Sequence, residues 1–401
     1  MQKTLYISSL GMSEPLGQSQ VLEYLRDLSD DFEVFLYSFE KDITDTTLFF
    51  LQRDISASGI QWYYQLYSNR YGVFSTLFQI ISSYTQMSRI VKQNSIRLIH
   101  ARSLVPTLIA LMLKKRYGLK VVFDIRGFQV DEKAEVGRIK KSSLLYKILK
   151  WLEHYAYKHS DAIVTLTYTS IAYISDFVDK DKITVIPTCA NKELFKRVSK
   201  ENRDKFKSTL GYRLQDKILL HVGAVSNWYD FDSELKVVSQ LMKQNESLHY
   251  LIINKSEHDF IYKKVKSFEI DLERLKVLEV DFYDIYKYLN IADASIFIIK
   301  PTFSKKASAP TKFAENLACG LYSITNNGIG DMDMFVKQNR NIGYSFEIEE
   351  IEKNLDKIVK EILYQLNQKK DLQEYDEMYN KFFTKEIAIE RYKGIYKGLL
   401  K

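Results

Sequence analysis

Within residues 308–320, SAPTKFAENLACG, an ammonium and a carboxylate stand three positions apart, at Lys312 and Glu315. Pro310 suits the opening of a helix, Phe313, Leu317 and Ala318 supply an apolar stripe, and Gly320 can close it. A solvated helix face explains the two charges in one way. An anion site explains them in another. The first amides of such a helix, at Thr311 and Lys312, have no carbonyl partner within it and can meet a phosphate, to which Lys312 adds a full charge. Glu315, a turn further in, can accept two hydrogen bonds from a vicinal diol such as a ribose.

Three other loops carry residues of similar chemistry. SSLGMSEPLGQSQVLEYL (8–25) offers Glu14, Gly17 and Gln18; Gly17 stands just before a helix, where free amides can approach a phosphate, or serves only the turn. The loop has neither the three-glycine dinucleotide spacing nor a Gly-Lys-Ser/Thr phosphate loop. FDIRGFQVDEKAEVG (123–137) crowds Asp124, Arg126, Asp131 and Glu132 after a strand, where they bind sugar hydroxyls or a phosphate, or pair with each other to order the loop. HVGAVSNWYDFDS (221–233) sets Gly223 directly after a strand, with Ser226 and Asn227 as hydrogen-bond donors.

These loops need elements to hold them. A chain of 401 residues is expected to form two domains, and its 46% hydrophobic content supports a real core. Strand-like runs at 4–8, 33–39, 97–100, 120–124, 162–166 and 183–187 alternate with helical patterns such as 18–28. The alternation restarts after a charged stretch, with runs at 218–223, 248–253, 276–280, 294–299 and 321–325. Such alternation predicts parallel sheets built of βαβ units, hence an α/β chain of two Rossmann-like domains. We read residues 1–190 as the first domain, 191–384 as the second, and 385–401 as a helix that can pack back on the first. Ligands of such sheets gather at the carboxyl ends of the strands.

Other properties narrow the function. The longest apolar run, residues 104–113, is far below the roughly 20 residues that span a bilayer. The first residues lack the apolar core of a signal peptide, so a cytoplasmic protein is expected. Two distant cysteines and six scattered histidines suggest neither a disulfide framework nor a metal site. A net charge of +7 suits an anionic ligand or surface, and no nucleic-acid motif accompanies it. The absent three-glycine turn speaks against a nicotinamide or flavin oxidoreductase.

Taken together, EPLGQSQVLEYL, FDIRGFQVDE, VIPTCANKELF, HVGAVSNWYD and SAPTKFAENLACGL resemble retaining nucleotide-sugar glycosyltransferases of family 4, in a branch found in bacterial surface-polysaccharide clusters. The resemblance runs over essentially the whole chain. It implies the GT-B fold, two Rossmann-like domains facing each other across a cleft, and transfer of a sugar with retained anomeric configuration. It implies that Glu315 binds the nucleotide ribose and that Pro310, Thr311 and Lys312 meet the diphosphate. Gly17 and Gln18 would approach the diphosphate from the first domain. Gly223, Ser226 and Asn227 would line the donor, and Val280 and Phe282 would lie beside the base. Asp124, Arg126 and Lys312 are the expected catalytic residues, with Glu14, Asp131 and Glu132 on the acceptor side. No metal and no cofactor is expected, only a UDP- or GDP-linked sugar as co-substrate.

Two positions depart from the family pattern. Ala307 stands where a glutamate contacting the donor sugar is usual, and the Arg and Lys usual after the strand at 221–223 are absent from AVSNWYDF. The alternative reading is therefore a catalytically impaired GT-B protein that binds or scaffolds within a polysaccharide assembly. The acceptor is expected to be a glycan or lipid-linked. Residues 137–160 are basic and aromatic at helical spacing, with Leu145, Ile148, Leu149 and Leu152 on one side and Lys140, Lys141, Lys147 and Lys150 on the other. Such a helix can rest on an anionic membrane at its inner face, or pack on its own domain.

Overall fold

Among the described residues, thirteen strands form two all-parallel sheets, one in each of the two units into which the chain divides. A computed structural model describes residues 1–41, 43–66 and 72–401, and the side chains of all of these except 72–78. The first unit comprises Met1–Pro187 and Lys385–Lys401, the second Thr188–Thr384. Each is a Rossmann-like α/β domain.

The first sheet uses β1 (Gln2–Ser8), β2 (Phe32–Glu40), β3 (Gln61–Leu66), β4 (Leu98–Arg102), β5 (Lys120–Asp124), β6 (Ala162–Thr165) and β7 (Ile183–Val185), in the order β3-β2-β1-β4-β5-β6-β7. Its central strands are buried on both faces, as helices on either side of a parallel sheet require: Leu5, Ile7, Leu98, Ile99, Val121 and Val122 have no exposed surface. The order reverses between β1 and β4, and their registers bring Ser8 beside Arg102 and Arg102 beside Asp124. A crevice opens at such a reversal, at the carboxyl ends of the strands.

The second sheet uses β8 (Lys217–Val222), β9 (Leu248–Ile253), β10 (Leu275–Leu278), β11 (Ala294–Ile296), β12 (Tyr322–Asn326) and β13 (Gly343–Phe346), in the order β10-β9-β8-β11-β12-β13. Its reversal lies between β8 and β11, so the loops leaving those two strands share the crevice. Two cores flank this sheet. The one that includes Phe297, Phe313 and Leu317 seats the Thr311–Cys319 helix.

Several elements differ from the sequence reading. Strands β3 and β13 were not expected; both are sheet edges, and β3 lacks a buried residue. The helix expected over 18–28 begins as a π-helical segment, Gln18–Leu22, and becomes α-helical only over Glu23–Leu28. Its wide turn exposes the Gln20 carbonyl, which accepts from Arg102 Nη1 at 3.3 Å. Pro310 lies outside its helix as the N-cap, in extended conformation, and Gly320 closes that helix in the left-handed region at φ 71°. The final helix, Lys385–Leu399, packs on the first unit, burying Ala388, Ile389, Tyr392 and Tyr396.

Candidate functional site

The second unit gathers Gly223, Tyr229, Lys312 and Glu315 at the β8–β11 reversal. Lys312 leaves the first turn of the Thr311–Cys319 helix and lies against the loop after β8, where a Cβ on Gly223 would meet its Cε at 3.4 Å and its Nζ at 3.5 Å. Gly223 adopts φ 101°, open to glycine and strained for other residues, so both its backbone and its missing side chain are used. The Lys312 ammonium stands 4.0 Å from the centre of the Tyr229 ring. It is shielded from solvent and has no hydrogen-bond partner among the described residues. A buried ammonium without an anionic partner is costly, and a ring face compensates only part of that cost.

Glu315 follows one turn later on the same helix. Burial pushes its carboxyl up to about 7, although the Lys312 ammonium opposes the shift. The group is therefore poised between a protonated form that suits its buried setting and an ionised form that suits hydroxyl donors.

The loop after β8 is braced from below. Asn254 Nδ2 donates to the Gly223 carbonyl at 3.0 Å and to Glu257 at 2.9 Å, and the Val225 amide donates to Glu257 at 2.9 Å. Burial alone would raise Glu257; hydrogen bonds from Ser226, Val225 and Asn254 outweigh it and hold the carboxyl below its ordinary value. His221, buried beneath the loop, pairs Nε2 with the Ala224 carbonyl at 3.0 Å and Nδ1 with Glu234 at 2.8 Å. Ser226 is thus engaged with Glu257, while Asn227 stands exposed at φ 58°, its carbonyl accepting from Lys300 Nζ at 2.8 Å. Lys305 is buried over the Trp228 ring, 3.5 Å from its centre. Ala307 is fully buried, and its methyl group offers no hydrogen-bonding atom. Val280 and Phe282 follow β10, two strands out from β8; Val280 packs on the core and Phe282 edges onto Phe195 at 5.9 Å.

The first unit gathers a second cluster, at the β1–β4 reversal. Asp124 ends β5 with no exposed surface, and neither carboxylate oxygen has a hydrogen-bond partner among the described residues. Three cationic or ionisable groups surround it: His100 Nε2 at 3.6 Å, Arg102 Nη1 at 3.8 Å and Arg126 Nε at 4.0 Å. Burial works against its charge, but Arg126, then His100 and Arg102, outweigh that effect and hold its carboxyl below the usual value. Burial lowers His100, whose Nδ1 bonds the Tyr396 hydroxyl at 2.7 Å. Arg102 and Arg126 converge on one atom, the Gln20 side-chain oxygen, at 2.8 and 2.9 Å. Arg126 adopts φ 51° and Ser103, after β4, φ 84°; they place strained backbone just past two strand ends.

Asp124 had been expected among the reacting groups. It has no exposed surface and stands between the Arg102 and Arg126 guanidinium groups. Gly17 is buried against the loop's own backbone, where a Cβ would lie 2.0 Å from the Gly11 carbonyl oxygen; Gln18 beside it is exposed. Glu14 turns onto this loop, accepting from the Gly11 amide at 3.1 Å and pairing with Lys41 at 3.4 Å. Asp131 is buried and accepts from Tyr146 at 2.6 Å and Lys150 at 2.9 Å, which makes it a helix-docking group; Glu132 is half-buried on the same short helix. Both contacts of Glu14 fall on Oε1, whereas Asp131 uses both of its carboxylate oxygens.

Arg102, Gln20 and Glu40 were missed in the sequence. Glu40, buried at the end of β2, organises the first loop by accepting from Met12 N at 2.7 Å, Ser13 N at 3.1 Å and Ser38 Oγ at 2.6 Å. An acid closing the apolar run EVFLYSFE was the available signal.

Known proteins share this architecture. Residues 19–194 match the model of Glycosyltransferase Family 4 and residues 202–378 that of Glycosyl transferases group 1. A glycosyltransferase from Rickettsia africae ESF-5 superposes at TM-score 0.74 with 18% identity, covering 100% of this chain and 99% of its own. Anabaena Alr3699/HepE, solved with UDP and glucose, superposes at 0.71 with 13% identity over 100% of both chains. The lipopolysaccharide outer core galactosyltransferase WaaB, in its apo form, does so at 0.68 with 9% identity over 99% of both. No curated protein sequence matches the chain. At these identities the structures establish a shared fold.

Proposed function

We propose, for a chain that belongs to the GT-B glycosyltransferases, transfer of a sugar from a UDP- or GDP-linked donor to a glycan or lipid-linked acceptor, with retention of anomeric configuration, in bacterial surface-polysaccharide synthesis at the cytoplasmic face of the membrane. The observation that carries the donor half is Lys312. Its shielded, unpartnered ammonium lies beside Gly223 at the start of a helix, where a diphosphate would supply the missing counter-charge. The Thr311 and Lys312 amides add donors to the same anion, and Glu315 accepts from the ribose hydroxyls. As the bond between sugar and diphosphate breaks, negative charge grows on the leaving group, and a fixed cation in a shielded site stabilises it. Neither a covalent nucleophile nor a metal is assigned. In the first unit Arg102 and Arg126, held by Asp124 and Gln20, form the fixed cationic group on the acceptor side.

A thermal-shift series with UDP, GDP and dTDP tests this reading. Wild type gains stability with one of them, and Lys312→Met and Glu315→Ala each lose most of the gain; no shift with any nucleoside diphosphate overturns the reading. The buried Ala307 and a loop without Arg or Lys over 224–230 support a second one, a scaffold that no longer transfers sugar. Acceptor-dependent release of nucleoside diphosphate separates the two, since only the enzyme produces it.

A further inference from the structure

We propose, resting on the donor reading, that His221 is a positioning residue: it sets the loop after β8 in the shape a nucleoside diphosphate meets, through one proton that it shares with Glu234. A backbone carbonyl only accepts, so the ring nitrogen facing Ala224 at 3.0 Å, Nε2, carries a hydrogen. The other nitrogen, Nδ1, faces Glu234 Oε1 at 2.8 Å. That contact needs one proton between the two atoms, on the ring or on the carboxyl. The pair is therefore an imidazolium beside a carboxylate or an imidazole beside a carboxylic acid, and neither form carries net charge. Neither residue has exposed surface, and a net charge there would be costly. The Tyr250 hydroxyl donates to the same Oε1 at 2.6 Å; burial, then Glu234 beside it, pushes that hydroxyl well up, so it keeps its own proton. The Ile298 amide donates to Oε2 at 3.3 Å. Glu234, on the Phe231–Gln244 helix, thus joins β8, β9 and the segment after β11.

The shared proton matters because of what Nε2 holds. His221 takes the carbonyl of the Ala224–Val225 peptide and Glu257 takes its amide, at 2.9 Å, so one peptide unit is gripped at both ends. Asn254 holds the carbonyl of the unit before it, Gly223–Ala224, at 3.0 Å. In a trans peptide the amide points opposite to the carbonyl, so the Ala224 amide is turned away from Asn254. It has no partner among the described residues, and Ala224 is exposed. A fixed, unpaired amide beside Gly223, against which Lys312 lies, is a donor for an anion. With no Arg or Lys over 224–230, the loop serves the diphosphate through its backbone, and the backbone is only as well placed as His221 makes it.

Two substitutions divide the contacts of His221. An Asn amide falls near the position of Nδ1 and a Gln amide near that of Nε2, so His221→Asn keeps Glu234 and drops Ala224, and His221→Gln does the reverse. Each loses one buried hydrogen bond, and both melt below wild type by similar amounts. Only His221→Asn weakens UDP or GDP binding, by about tenfold, and only there does the Val225 amide of the ligand-free chain exchange faster with deuterium. His221→Gln stays within about twofold of wild type in both readouts. Glu234→Gln supplies the shared hydrogen from its own amide and matches wild type as well. Nitrogen NMR of the wild-type chain, labelled at histidine, shows a hydrogen on His221 Nε2. Equal effects of Asn and Gln on affinity and exchange, an Asn variant that binds and exchanges like wild type, or an Nε2 without hydrogen would each overturn the proposal. Wild type that binds neither nucleotide overturns the donor reading instead, and the Val225 exchange and the NMR then decide whether His221 grips the loop.

Discussion

An ionised side chain inside a protein carries a standing cost, and two residues of one helix start carry it together here. Glu315 titrates near 7 in the fold against roughly 4.3 in an unfolded chain. Its folded value is raised, so the ligand-free fold is favoured where the carboxyl is protonated; that contribution is complete below the unfolded value and lost as pH climbs through the folded one. Melting temperature without ligand should fall between about pH 4 and pH 7. Glu315→Gln should melt several degrees above wild type at the upper end and level with it at the lower. Parallel curves for the two proteins would show that the carboxyl does not titrate there. This pair was readable from residues 308–320 because a helix start is a local object. The Arg102–Gln20 contact was not, since its partners are 82 positions apart and meet only through the β1–β4 register.

Elements decide which side chains can meet at all. The first loop is folded onto itself so tightly that a methyl group at position 17 would lie 2.0 Å from the Gly11 oxygen, far inside van der Waals contact distance. Gly17→Ala should cost about 3 kcal/mol, at the upper end of overpacking substitutions, and lower the thermal midpoint by several degrees even before any ligand is added. A Gly17→Ala variant as stable as wild type would mean that the π-helical segment shifts freely. Eleven strands were legible because parallel strands buried on two faces read as apolar runs. β3 and β13 were not, because QWYYQL lacks a buried residue and GYSF is only four residues long with a half-exposed centre, so neither reads as an apolar run. The Leu144–His159 helix was legible as amphipathic, yet its orientation was hidden: with apolar residues on two faces, only the Asp131 partner of Lys150 shows which side turns in.

At the scale of the molecule, the first unit is assembled from both ends of the sequence. Tyr392 edges onto Tyr24 and approaches His100, Tyr396 packs on Phe32, and Arg391 reaches the Val185 carbonyl at 2.5 Å. Each of the four buried side chains is worth roughly 1.5–3 kcal/mol or less, and together they rival the 5–15 kcal/mol that typically separates a folded domain from its unfolded chain. Removing residues 385–401 should therefore unfold the first unit. Limited proteolysis would read this as rapid loss of fragments from 1–187 while 188–384 survives; equal survival of both units would refute it.

The return of the Lys385–Leu399 helix also imposes an order on biosynthesis. While the roughly 200 residues of Thr188–Thr384 emerge, at about 5–20 residues per second, the earlier half has been translated for some 10–40 s without the tyrosines that cover Phe32 and His100. The second unit, continuous in sequence, can close first. The domain translated first is the one completed last, and its uncovered aromatic surface over that interval is where a chaperone would find this nascent chain.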